Sequence, residues 1–140
     1  MKNKHTKKRP HKKIHSLYDL ITIMRRLRSP RGCAWDREQN HESLLPYLFE
    51  EAHEVKTAVR KKNYINLQEE LGDVLLQILF HAQIASEHGR FTMQDVLNTL
   101  ADKLIRRHPH VFGNLIVSST KDIITNWHKI KKTEKKKQRY

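Results

Sequence analysis

Two short clusters of acids carry the most evident chemistry in the sequence. They are Glu50, Glu51 and Glu54, then Glu69, Glu70 and Asp73, six of the fourteen acids between residues 16 and 127. At about 100° per helical residue, Glu51 falls inside the apolar stripe of Leu44, Leu48 and Val55. Glu54 sits at the edge of that stripe, and Glu50 points further away. Glu70 and Asp73 lie one turn apart on a narrow polar stripe, continued by Gln77, of an otherwise apolar segment. A buried carboxylate must be paired, protonated or bound to a metal. Four of them converging from two antiparallel helices repel unless a cation sits between them, and hard oxygen donors suit Mg²⁺. Glutamate is also a good helix former, and acids near a helix start complement its dipole. Spacing alone therefore leaves a solvated acidic face as the alternative.

Other reactive side chains carry weaker signals. Lys103 and Arg107 are four residues apart and share one helical face, with Arg106 directed elsewhere; basic residues in a last turn also simply suit the dipole. Glu50-x-x-His53 resembles half of a di-iron motif, but that design needs a second such pair, and Asp73 stands where its histidine would be. His81 lies among apolar residues and reads as a satisfied core histidine. His108 and His110 flank Pro109 at a helix end, where capping or phosphate contact are both open. Trp35 could stack on a base or anchor a loop, with the anchor preferred, and Cys33 has no evident catalytic partner in sequence. With four glycines in the chain, no glycine-rich phosphate loop is present.

The elements that must carry these residues are helical. Leu17, Leu20, Ile21, Met24 and Leu27 recur at helical spacing behind Ser16-x-x-Asp19, a capping pattern. Ser29-Pro30-Arg31-Gly32 breaks that helix, and a loop through Cys33, Trp35 and Asp36 is expected next. A second helix is predicted from about Glu42 to Arg60. A third runs from about Asn66, as its N-cap, to Glu87, with Glu69 in its first turn. Between Leu71 and Ala85 it is apolar nearly all round, which predicts a central, buried helix. Thr92-x-x-Asp95 starts a fourth helix that ends before Pro109. Ser119-x-x-Asp122 starts a fifth carrying Ile123, Ile124, Trp127 and Ile130. The expectation is an all-α bundle of about five helices, completed by dimerisation.

The 140 residues suit one domain with a real core. Hydrophobic content is only 37% and the net charge is +13, so the location of the charge matters. Residues 1–15 hold seven Lys or Arg and no acid, and residues 128–140 hold seven and one acid, Glu134. Residues 16–127 are neutral. The expected organisation is a basic tail over 1–15, a neutral helical domain over 16–127, and a basic extension of the last helix over 128–140. This disfavours a uniformly basic nucleic-acid binder and leaves weak polyanion binding to the tails. A single cysteine permits no intrachain disulfide. No apolar run approaches the ~18–20 residues that span a bilayer, and no apolar core follows the basic N-terminus. A cytoplasmic protein without membrane attachment is expected.

Several longer motifs, in order, resemble the MazG-type nucleotide pyrophosphohydrolases of the all-α NTP-pyrophosphatase superfamily. They are GCAWDREQNHESL from Gly32, YLFEEAHEV from Tyr47, EELGDVLLQILFHAQIA from Glu69, GRF from Gly89 and DKLIRRHPHVFG from Asp102. The resemblance covers roughly Leu17 to Asn114, and more loosely the segment around Trp127, Lys129 and Glu134-Lys135. Ala34 and Asn40 stand where the family commonly has Pro and Thr. The resemblance implies an α-helical protomer that dimerises or assembles further. It implies Mg²⁺, with Mn²⁺ as a substitute, held by Glu51, Glu54, Glu70 and Asp73. It implies cleavage of nucleoside triphosphates, NTP or dNTP, to monophosphate and pyrophosphate in nucleotide-pool housekeeping. Lys103 and Arg107 match positions that contact nucleotide phosphates, and Trp127 matches one near the nucleotide. Glu50, adjoining the ligands without lying in their stripe, is the candidate to orient or deprotonate the attacking water. The competing function is a catalytically weak nucleic-acid- or ribosome-associated module that acts through its basic tails.

Overall fold

The computed structural model describes residues 15–138. Seven helices are present among them: α1 (Leu17–Leu27), α2 (Ala34–Glu38), α3 (His41–Arg60), α4 (Tyr64–Glu87), α5 (Met93–Arg107), α6 (Pro109–Phe112) and α7 (Thr120–Lys137). No strand occurs among the described residues. The chain divides into two compact units, one ending at His88 and one beginning at Gly89. The basic tail expected over residues 1–15 lies, except for His15, outside the described residues.

In the first unit, α3 and α1 pack against α4. The starts of α1 and α3 are fixed locally by capping boxes. The Ser16 hydroxyl accepts from the Asp19 amide at 3.2 Å, and the Asp19 carboxylate accepts from the Ser16 amide at 2.8 Å. Asn40 does the same for α3 with Ser43, at 2.8 and 3.0 Å, so asparagine at this position keeps the cap. The break after α1 needs Gly32, where a Cβ would collide with the carbonyl oxygens of Arg26 and Leu27. The segment expected to be a loop contains the single-turn helix α2. Five residues are too few to show a helical period in sequence.

Arg28 holds this corner together. Its side chain is 6% exposed. Nε donates to Glu87 Oε2 at 2.8 Å, and Nη1 donates to the carbonyls of Asp36 and Gln39. One guanidinium thus ties the end of α1 to α2 and to the end of α4. Trp35 of α2 meets Tyr47 and Phe80 edge-on, at 5.8 and 6.4 Å between centroids, which is the anchoring role expected of it.

The turn 61–63 folds α4 back on α3. Lys62 adopts φ 53°, and the Asn63 amide donates to the Ala58 carbonyl at 3.0 Å. The Asn63 side chain accepts from the Asn66 amide at 3.1 Å. Asn63, not Asn66, is therefore the cap; α4 begins at Tyr64, and Glu69 lies beyond its first turn. Gln77, Leu79, Phe80, Ala82, Ile84 and Ala85 are buried. The expectation of a helix covered on every side does not hold for one copy of the chain. Leu71, Leu76 and Ile78 remain 53%, 37% and 39% exposed.

In the second unit, α5 packs with α6 and α7. Thr92 and Asp95 form the expected capping box. The Ser119 hydroxyl accepts from the Asp122 amide to start α7, which continues to Lys137. Pro109 opens the short α6, an element beyond the five expected.

Candidate metal and nucleotide site

The α3–α4 hairpin brings the acids of both clusters together. Glu51, Glu70 and Asp73 each place one carboxylate oxygen so that all three lie within 4.8 Å of one another, and all three are partly exposed. Antiparallel packing produces this, because Glu51 and Glu54 precede the turn by about as much as Glu70 and Asp73 follow it. Burial first, then the charges of Asp73, Glu70, Glu50 and Glu54, pushes the Glu51 carboxyl above its ordinary range. Glu70 is raised by burial, then by Asp73, Glu54 and Glu69. The cluster is thus a set of mutually repelling oxygens, and that donor set fits a hard divalent cation. Glu54 stands outside the closest three but acts on both raised carboxyls. Glu50 is exposed and adjoins the set without joining it.

The second unit holds the remaining expected site residues. Lys103 lines a cleft of about 500 Å³ with Phe91, Asp95, Val96, Thr99 and Leu100. Arg107 donates from Nη2 and Nε to Glu134 Oε2, at 2.8 and 3.3 Å. Its Cζ lies 5.3 Å from the Trp127 ring centroid. His108 meets the same ring edge-on at 5.1 Å. Trp127 and Arg107 therefore form one group. Arg106 was expected to leave this face, yet its Nε donates to Glu134 Oε1 at 2.6 Å. Both arginines converge on one carboxylate because Glu134, on α7, faces the end of α5. They hold that carboxyl down to about 2.

Two features were not evident in the sequence. Glu134 pairs with both arginines and leaves the group with one net positive charge; its only signal was being the sole acid of the last segment. His81 is not a satisfied core histidine on both sides. Its Nδ1 lies 2.7 Å from His41 Nδ1, while Nε2 is buried without a partner, as is Gln77 Oε1 one turn earlier. Burial, then the neighbouring His41, lowers His81 below its ordinary value.

Residues 39–112, just over half of the chain, match the MazG nucleotide pyrophosphohydrolase domain. The chain belongs to this family. The MazG nucleoside triphosphate pyrophosphohydrolase/pyrophosphatase of Thermotoga maritima is 56% identical over 121 residues, which span 86% of this chain and 46% of that protein. The Escherichia coli K12 nucleoside triphosphate pyrophosphohydrolase is 44% identical over 83% of this chain and 44% of its own length. This MazG-family chain thus spans less than half the length of these curated relatives. The crystal structure of a mazG-related protein from Thermotoga maritima superposes with a TM-score of 0.70 at 29% identity, covering 83% of this chain and 99% of that one. The all-α architecture is shared with that protein. No helix among the described residues is long and apolar enough to cross a membrane.

Proposed function

We propose that the protein is a Mg²⁺-dependent nucleoside triphosphate pyrophosphohydrolase, converting NTP or dNTP and water to monophosphate and pyrophosphate. The observation that carries this reading is the convergence of Glu51, Glu70 and Asp73, with Glu54 beside them, in a chain of the MazG family. Mg²⁺, or Mn²⁺ in its place, would be held by these four carboxylates, and when bound such an ion polarises phosphoryl oxygens and lowers the pKa of a water. Glu50 orients that water or takes its proton. Lys103 and Arg107 neutralise charge that develops on the phosphates, and Trp127 lies near the nucleoside. The Arg107–Glu134 pair supports one refinement: Glu134 fixes the direction of the guanidinium and so positions it.

The reading includes a homodimer or higher assembly, supported by exposed apolar side chains on α3 and α4 such as Phe49, Ile65 and Leu71, at 72%, 86% and 53%. It includes a cytoplasmic, housekeeping role and some polyanion affinity in the basic segments. The deciding experiment incubates the protein with Mg²⁺ and a panel of NTPs and dNTPs and resolves the products. Pyrophosphate and monophosphate in equal amounts are expected; orthophosphate and diphosphate would overturn the reading. Glu54→Ala and Glu70→Ala should abolish most turnover and weaken Mg²⁺ binding in titration calorimetry.

A further inference from the structure

We infer that the outward face of α7 is a docking surface for the phosphate backbone of duplex nucleic acid. The inference is independent of the triphosphate reading and gives the polyanion affinity a defined place. It begins with Glu134. Between residues 128 and 138 this is the sole acid, and it is turned toward α5 and bound by Arg106 and Arg107. Asp122, the other acid of α7, is held at the helix start by the amide and hydroxyl of Ser118, and by the hydroxyl of Ser119, which accepts from its amide. Neither is left to neutralise the lysines of the helix.

At about 100° per residue, Ile123, Trp127, Ile130 and Glu134 share one arc. Lys121, Lys129, Lys132, Lys135 and Lys136 occupy the opposite one, and all five are exposed. Lys121 to Lys136 spans about 22 Å of helix. Among the described residues, no acid lies within ion-pair distance of any of them. Pairs such as Lys129–Lys132, Lys132–Lys135 and Lys132–Lys136 face each other one turn apart. Like charges at this spacing each destabilise a helix by about 0.2–0.5 kcal/mol. A dense external array of negative charge relieves that repulsion, and duplex DNA carries one charge per ~1.7 Å of axis.

Other anionic partners fit less well. An interfacial membrane helix needs an apolar face turned to the lipid, but Ile123, Trp127 and Ile130 are half-buried on the inward side. Single strands are held by stacking on aromatic rings. The aromatic residue described on α7, Trp127, is already engaged by Arg107 and His108. Lysines act as point charges on phosphates rather than as readers of base edges, so no sequence preference is expected.

The test uses the full chain and a labelled DNA duplex of about 20 base pairs, followed by anisotropy over a series of salt concentrations. Two double variants carry the same change in net charge: Lys132→Glu with Lys136→Glu on α7, and Arg25→Glu with Arg26→Glu on α1. Helix content by circular dichroism and the thermal unfolding midpoint report folding, and both should match the unmodified protein. The α7 variant should lose roughly tenfold or more in affinity, and its log–log salt slope should fall by about 2, as expected for two lost phosphate contacts. The α1 variant should change little. Equal losses in the two variants would make binding a matter of net charge alone and overturn the inference. So would the absence of duplex binding by the unmodified chain, or binding to single strands or anionic vesicles as tight as to duplex.

Discussion

Replacing Arg28 by alanine removes a side chain that joins α1, α2 and α4. Its Nε bond to Glu87 and two Nη1 bonds to the carbonyls of Asp36 and Gln39 all disappear. Breaking a fully buried ion pair costs about 3–5 kcal/mol. Here Glu87 is 33% exposed and regains water in the variant, which lowers that figure. The two carbonyls lose a charged donor, and such bonds are worth about 1.5–3 kcal/mol each without being additive. A net loss of about 3 kcal/mol follows, or about 10 °C in Tm for a chain of this size. Urea and thermal unfolding measure it. Trp35 fluorescence should shift at denaturant concentrations too low to unfold the chain, because α2 loses its tether before the core opens. The exposed Arg25 is the control, with Arg25→Ala expected within about 0.5 kcal/mol of the parent. If Arg28→Ala falls within about 1 kcal/mol of Arg25→Ala, the guanidinium does not hold this corner.

The remaining expectations concern charge. Glu51 and Glu70 are raised above 4.5 in the fold. The stability they contribute is complete below 4.5 and lost as pH rises through the raised values. In chelator, Glu51→Gln with Glu70→Gln should flatten that loss in urea midpoints, and added Mg²⁺ should stabilise the parent but not the double variant. His81 is lowered from 6.5, so its contribution is complete above 6.5 and lost as pH falls through the lowered value; His81→Asn should flatten this acid-side decline. Glu134, held at about 2 by Arg107 and Arg106, should titrate near that value in a carboxyl NMR experiment and return toward 4.5 when both arginines are replaced by methionine.

The sequence made some features legible because they are local. The caps at Ser16, Thr92 and Ser119 each involve residues three apart, and all three start helices where expected. The convergence of Glu51, Glu70 and Asp73 was legible for a related reason, since two amphipathic helices with a short turn between them have few ways to pair. The start of α4 was not. Asn63 and Asn66 are both good caps, and Tyr64 and Ile65, 74% and 86% exposed, belong to no buried stripe that would have extended the period. The His41–His81 contact joins residues forty apart, and only packing produces it. The inward turn of Glu134 depends in the same way on how α7 lies against α5. Family motifs carried Lys103, Arg107 and Trp127, but the pairing of Arg107 with Trp127 and Glu134 came from the fold.

The hairpin turn has a kinetic consequence. Closing a loop of three residues costs little chain entropy compared with the longer closures of a domain, so α3 and α4 can associate early on the folding pathway. The acids of the cluster then meet while most of the chain is still unfolded. Their repulsion belongs to the transition state as well as to the native state, and a cation that relieves it lowers the barrier to folding. Mg²⁺ should therefore steepen the approach to the native state, speeding the refolding arm of a chevron more than it slows the unfolding arm. The opposite pattern would mean that the cluster assembles last, after the rest of the first unit is in place.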